Sequence, residues 1–310
     1  MSTVKTYISS LVKVLKSTYN DFFEFKTLKL SASLAFITVF SIAPLIVVVV
    51  YVFHFIYSQQ VIESFILSML KDYIGNENIL AFQRMIRNAT ITTDSYFNAS
   101  VGIISLVFAA TSVFAEIQDS INTIWGLRPK KQSGYWLFIK NRLLSFGVIG
   151  SLGFILLVAT GFSTLLDVFL DELSQNLPFG VNFLITVVNF LLTFLITVLL
   201  FGSIFTILPD AKIKWNQVKL ASISTSLLFL LGKYLISYYI SSSKLPTIFG
   251  AASYIVIFML WVYYSSIILY LGAIFSKNYA NVFSQTIVPE NYAEEVINVA
   301  VTKDEKVVKK

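Results

Sequence analysis

The 310-residue chain has no cysteine and a single histidine, His54. Without cysteine there is no disulfide framework, no thiolate metal site and no cysteine nucleophile. His54 has no second histidine, cysteine or carboxylate at ligand spacing beside it. It stands about 22 residues into the first apolar stretch, a depth that suits an interfacial polar residue better than a proton relay or metal ligand. Charge is scarce too: Asp, Glu, Lys and Arg make up 13% of the residues, against about 25% in soluble domains. No phosphate-binding loop or Ser-His-Asp arrangement can be read, which argues against ATP-driven transport by this chain alone. A nuclease would need general acids and bases or a carboxylate metal cluster in a basic groove, and no such cluster is visible. The expectation is a protein that is not an enzyme and needs no cofactor.

What is abundant is apolar surface. Hydrophobic residues are 56% of the chain and aromatics 15%, with a mean hydropathy of +0.76. These values mark an integral membrane protein. A bilayer core about 30 Å thick needs about 20 apolar residues per helix, and the chain offers that length six times. The stretches are about Ala32 to Tyr57, Ala99 to Ala115, Leu143 to Leu166, Val181 to Leu208, Val218 to Ile240 and Ala251 to Phe275. The expected fold is all-α, with six transmembrane helices and short amphipathic interfacial helices. Residues 1–30 form a cytoplasmic amphipathic segment, 31–280 the six-helix domain and 281–310 a cytoplasmic polar tail.

The N-terminal segment sets Ile8, Leu11, Val12, Leu15, Tyr19 and Phe22 among five lysines, a pattern suited to a helix lying on a membrane surface. Pro44 should kink the first span or open a gap in its ladder, which makes it a candidate hinge. Between Ser58 and Asn98, apolar residues at helical spacing predict one or two interfacial helices. Gly102, Ser105, Ala109, Ala110 and Ser112 in the second span, and Gly147, Gly150, Ser151 and Gly153 in the third, predict close helix packing. The segment FAEIQDSINTIWGLRP, Phe114 to Pro129, turns amphipathic without turning into loop. As a continued helix it puts Glu116, Asp119, Ser120 and Thr123 on one face and Ile117, Ile121, Ile124 and Trp125 on another.

Basic residues divide unequally. Of the 23 Lys and Arg, eighteen lie in the N-terminal segment, the second-to-third and fourth-to-fifth connections and the C-terminal segment. Positive charge favours the cytoplasmic side, so both termini are expected there. Topology and anionic lipid then account for the basic balance, with membrane lipids as partners and no nucleic acid.

Lys233 is the clearest candidate for chemistry, because a charge inside a span is expensive. It lies about fifteen residues along the fifth span, roughly 22 Å up the helix. Two uses fit it: its stem snorkels outward past Tyr234 and Tyr238, or it binds an anionic headgroup or solute. Glu116 and Asp119, one turn apart, suit a cation, a proton, an ion pair with Arg128 or Arg142, or simple solvation. Asn189 in the fourth span suits an interhelical hydrogen bond.

Several stretches resemble the YihY/BrkB family. They are SLAFITVFSIAPL (Ser33 to Leu45), FAEIQDSINTIWGLRP with NRLLSF (Asn141 to Phe146), ILPDAKIKW (Ile207 to Trp215), LGKYLISYYI (Leu231 to Ile240) and the last span from Phe249 to Ala280. The resemblance runs in order over roughly Leu30 to Ala280. It implies a six-helix bacterial inner-membrane protein. Members carry virulence or serum-resistance labels, an older ribonuclease BN label, or links to the handling of lipopolysaccharide or its precursors. Gln118, Asn122, Trp125 and Gly232-Lys233 match the family pattern. One position departs: where relatives end the last span Gly-Ala-Glu-Phe, this chain has Gly272-Ala273-Ile274-Phe275, so no mechanism resting on that carboxylate transfers.

Taken together, these features predict a transporter of a lipid or amphiphilic envelope precursor, with Lys233, Glu116, Gln118, Asp119, Asn122 and Trp125 as its substrate or ion pathway. The alternative is a non-transporting membrane scaffold or regulator of envelope assembly.

Overall fold

A computed structural model describes residues 2–54, 96–130, 147, 179–242, 253–283 and 287–296. The described residues form six α-helices and four short strands. In chain order these are α1 (Ser2–Glu24), α2 (Thr27–His54), α3 (Tyr96–Trp125), β1 (Leu127–Pro129), α4 (Phe179–Ile207), β2 (Ala211–Lys212), α5 (Trp215–Ser242), α6 (Ser253–Val282), β3 (Val288–Pro289) and β4 (Ala293–Glu295). Helices coincide with five of the six stretches expected to span. The remaining stretch, Leu143 to Leu166, lies outside the described residues apart from Gly147, as do residues 58–95 with their expected interfacial helices.

Helix α6 is the hub, packing against α1, α2, α3 and α5, while α4 packs on α5 and α2 on α3. Three described helices are long and apolar enough to cross a membrane, over Phe190–Ile207, Trp215–Ile236 and Ile255–Val282. Their outward faces are apolar. Ile223, Leu227, Leu231 and Leu235 of α5 recur every fourth residue and are all exposed, as are Leu191, Leu195 and Leu199 of α4. Four-residue spacing keeps such residues on one helix face, and a water-facing helix would carry polar groups there. Two buried hydroxyls inside these helices bond back to their own turns, Ser222 to the Val218 carbonyl at 2.9 Å and Ser266 to that of Val262 at 2.7 Å. This satisfies them where no water is present.

Packing between spans relies on glycine. A Cβ at Gly232 would lie 1.7 Å from the Tyr264 hydroxyl, and one at Gly272 would lie 2.1 Å from Thr225 Oγ1 and 2.7 Å from Phe205 Cζ. The α5–α6 and α4–α6 approaches therefore have room for a hydrogen only. Helix α2 continues through Pro44 to His54, so the proline withholds one donor from the ladder without ending the helix.

The apolar core sits at the end of the bundle where α3 and α4 finish and α5 begins. Ile121, Ile124, Phe205, Val218, Tyr270 and Ile274 are its most enclosed members. Local chemistry fixes the chain reversals there. Lys26 adopts a left-handed conformation with φ 51°, ending α1, and the Thr27 hydroxyl donates to the Phe22 carbonyl at 2.8 Å as α2 starts. Gly126, with φ 71°, ends α3 and releases the chain into β1. The Gln217 side chain accepts from Lys214 N at 2.7 Å, capping the first turn of α5.

Candidate functional site

The C-terminal ends of α3 and α4 meet around Asp210, a carboxylate only 2% exposed. It follows Pro209 in the turn that ends α4 and begins β2, and three side chains from two other parts of the chain hold it. Gln118 and Asn122, one turn apart on α3, present two amides on one helix face. Gln118 Nε2 donates to Asp210 Oδ1 at 2.8 Å, and Asn122 Nδ2 donates to Oδ2 at 2.8 Å. Asn122 Oδ1 accepts from Asp210 N at 2.9 Å, and the Tyr292 hydroxyl donates to Oδ1 at 3.2 Å. A buried carboxylate without donors would be costly, and here each oxygen has at least one.

The Tyr292 side of the clamp comes from residues 287–296. Their strands pair antiparallel with the bundle, β4 against β1 (Arg128↔Glu294) and β3 against β2 (Ala211↔Pro289). Glu290 N donates to the Asp210 carbonyl at 2.9 Å, Lys130 N to that of Tyr292 at 2.8 Å and Val296 N to that of Gly126 at 2.6 Å. Residues 287–296 of the stretch expected as a polar tail thus pair with the bundle. Burial and the neighbouring Asp210 charge both push the Tyr292 phenol well above its ordinary value, keeping it a donor.

The pathway candidates divide around this clamp. Gln118, Asn122 and Trp125 are buried, and the Trp125 Nε1 group has no hydrogen-bond partner among the described residues. Asp119 and Thr123 are exposed and Glu116 is half-buried. Ser120, expected on one face with them, is 3% exposed and turned inward, where it neighbours the enclosed Tyr270 hydroxyl with Glu116 nearby. Arg128 ion-pairs with Glu294 at 2.7 Å, while Arg142 lies outside the described residues. Ile274 is fully buried in the core, and the buried carboxylate of the clamp, Asp210, comes from a different element. Asp210 and Tyr292 were not among the sequence candidates. The available signal was the pair of amides at i and i+4 on an apolar face, which need a buried partner.

Lys233 is exposed on α5 beside Tyr234 and Tyr238, which are 67% and 75% exposed. One turn from it begins an apolar crevice of about 340 Å³ between α5 and α6, lined by residues including Ile236, Tyr239, Tyr263 and Tyr264. Asn189 lies within α4 and His54 is the last residue of α2. Among the described residues no group of three or more His, Cys, Asp or Glu is placed to hold a metal.

Comparison with known proteins agrees with the membrane architecture. The family described as Virulence factor BrkB matches residues 18–295. A UPF0761 membrane protein of Psychromonas ingrahamii is 28% identical over 249 residues, 77% of this chain and 78% of that protein. One of Haemophilus influenzae is 26% identical over 263 residues, 82% of this chain and 90% of the relative. One of Pasteurella multocida is 31% identical over 182 residues, 56% of this chain, and the match spans about half (52%) of that relative's length. No solved structure matches the chain. A match running from the last third of α1 through β4 takes in every element of the Asp210 clamp, and the chain belongs to the virulence factor BrkB family of membrane proteins.

Proposed function

We propose that this chain is a transporter of the bacterial inner membrane that moves a lipid or amphiphilic envelope precursor, with six spans and both termini in the cytoplasm. The observation that carries the reading is the α5–α6 crevice, an apolar slot of about 340 Å³ with the exposed Lys233 one turn away. That volume falls within the roughly 300–1,000 Å³ of small-molecule sites. An acyl chain suits the aromatic lining, and a lysine on an otherwise apolar face suits an anionic headgroup. Both features lie on helices long enough to cross a bilayer.

Native mass spectrometry of protein released gently from its own membrane tests this, comparing wild type with Lys233→Ala. A defined lipid on the wild type, absent from the variant, supports the reading and supplies the cargo for a vesicle flux assay. An identical adduct on both, or no flux of the bound species, overturns it.

A second reading is a non-transporting scaffold or regulator of envelope assembly. It is favoured by the exposure of Lys233, which a carrier would more commonly enclose. It predicts a protein partner retained in the same experiment and no bound lipid.

A further inference from the structure

Residues 287–296 are attached to the bundle in a way the spans are not. Their one buried side chain is Ala293, and Val288 is 50% exposed. Apart from Ile287, which is partly buried against the apolar core, what holds them is polar: pairings two and three residues long, the Arg128–Glu294 ion pair with side chains 58% and 38% exposed, a bond from Lys130 Nζ to the Asn291 carbonyl at 2.9 Å, and Tyr292 on Asp210. Water readily replaces exposed contacts of this kind, so the apolar burial that lifting the segment forfeits is confined to Ile287 and Ala293 at its inner side.

The catch at Asp210 is asymmetric. Tyr292 and Gln118 share Oδ1, and Asn122 serves Oδ2. When Tyr292 leaves, each carboxylate oxygen keeps an amide donor from α3, so departure leaves no buried charge stranded. The bonds from α3 to the Asp210 turn therefore stay in place when the contact from Tyr292 is removed.

We infer that residues 287–296 form a releasable strap across the basic end of the bundle, with Tyr292 on Asp210 as its catch and Gln118 and Asn122 holding the catch plate when the strap is open. The strap ties the exit of α3 to the turn between α4 and α5. Opening it uncovers Asp210 and the seam between them. This proposal does not depend on what the protein carries.

The absence of cysteine makes the test clean. Arg128 and Glu294 are opposed in the β1–β4 ladder, where their spacing of about 5.5 Å between Cα atoms suits a disulfide. Hydrogen exchange is followed by mass spectrometry on the full chain in lipid nanodiscs, for wild type, Tyr292→Phe, and the Arg128→Cys/Glu294→Cys pair with and without reductant. In Tyr292→Phe, exchange in 287–296 rises about fivefold while residues 115–125 keep their wild-type protection. Oxidation of the cysteine pair suppresses strap exchange, and reduction restores it. The inference is overturned if Tyr292→Phe leaves the strap unchanged, if strap and α3 exchange together at one rate, or if oxidation has no effect on the strap.

Discussion

Asn122 and Asp210 hold each other twice: the amide nitrogen donates to the carboxylate at 2.8 Å, and the amide oxygen accepts from the aspartate's own backbone at 2.9 Å. The two residues are 88 positions apart in sequence, so this one pair registers α3 against the turn that closes α4. Asn122→Leu keeps the approximate shape and removes both bonds, at a site where Asn122 is 5% and Asp210 2% exposed. With about 1–3 kcal/mol for each buried polar group deprived of its partner, and more where it is charged, the expected loss is about 3–5 kcal/mol. Thermal denaturation of the purified protein should show a clearly lowered midpoint. A midpoint within about one degree of wild type would remove the clamp from any account of stability.

Gly272 supplies a prediction with a built-in rescue. A Cβ there runs into Thr225 Oγ1 at 2.1 Å, Phe205 Cζ at 2.7 Å and Thr225 Cγ2 at 3.1 Å. Gly272→Ala should destabilise by about 1–3 kcal/mol, the usual range for overpacking. Two of the three obstructing atoms belong to Thr225, whose hydroxyl is buried without a partner among the described residues. Thr225→Ala therefore sacrifices no hydrogen bond, and in the double variant it should recover part of the loss. A double-mutant cycle of denaturation midpoints reads this directly, and strictly additive effects would contradict the geometry.

The helices were legible because length and apolarity decide them locally, as α4, α5 and α6 show. Continuation of the second span through Phe114 to Trp125 followed from the face pattern, and α3 runs unbroken to Trp125. The site was half legible. Gln118 and Asn122 were singled out, while Asp210 looked like a loop residue after a proline, because nothing local tells which distant helix a turn will meet. Tyr292 was hidden for a further reason: a polar stretch with two- and three-residue strands carries no periodicity, and its structure comes from backbone pairing with β1 and β2. Ser120 turned inward because the helix sits on α6 as well as α2, a matter of tertiary contacts that a two-face reading cannot contain.

Tyr292 should make stability fall at alkaline pH in a specific window. Burial first, then the Asp210 charge, raise its pKa above the ordinary 10.0. A group with a raised native pKa contributes stability that is whole below the unfolded value and is lost as pH climbs through the native one. Below about pH 10 the wild type should exceed Tyr292→Phe by about 1 kcal/mol, one hydrogen bond to a carboxylate in a half-buried setting. Above about pH 10 the gap should close as the unfolded chain loses its proton. Every other residue is common to the two proteins, so the comparison isolates this one. Denaturation midpoints from pH 8 to 11 test it, and a gap that stays constant across the range would contradict the assignment.

Lys233 separates binding from snorkelling through charge, with stability as the control. The side chain is exposed on α5, so Lys233→Ala should alter stability by no more than about 0.5 kcal/mol. If the lysine binds an anionic headgroup, retention of that lipid should follow charge: kept in Lys233→Arg, lost in Lys233→Gln and Lys233→Ala, and reversed in preference in Lys233→Glu. It should also weaken from low salt to about 0.5 M, because an exposed ion pair is screened. A lysine that only snorkels holds no defined lipid, so lipid retention shows none of this ordering. Quantifying copurified lipid across the four variants at two salt concentrations distinguishes these outcomes. Lipid retention that is equal in Arg and Gln would assign Lys233 to anchoring the helix.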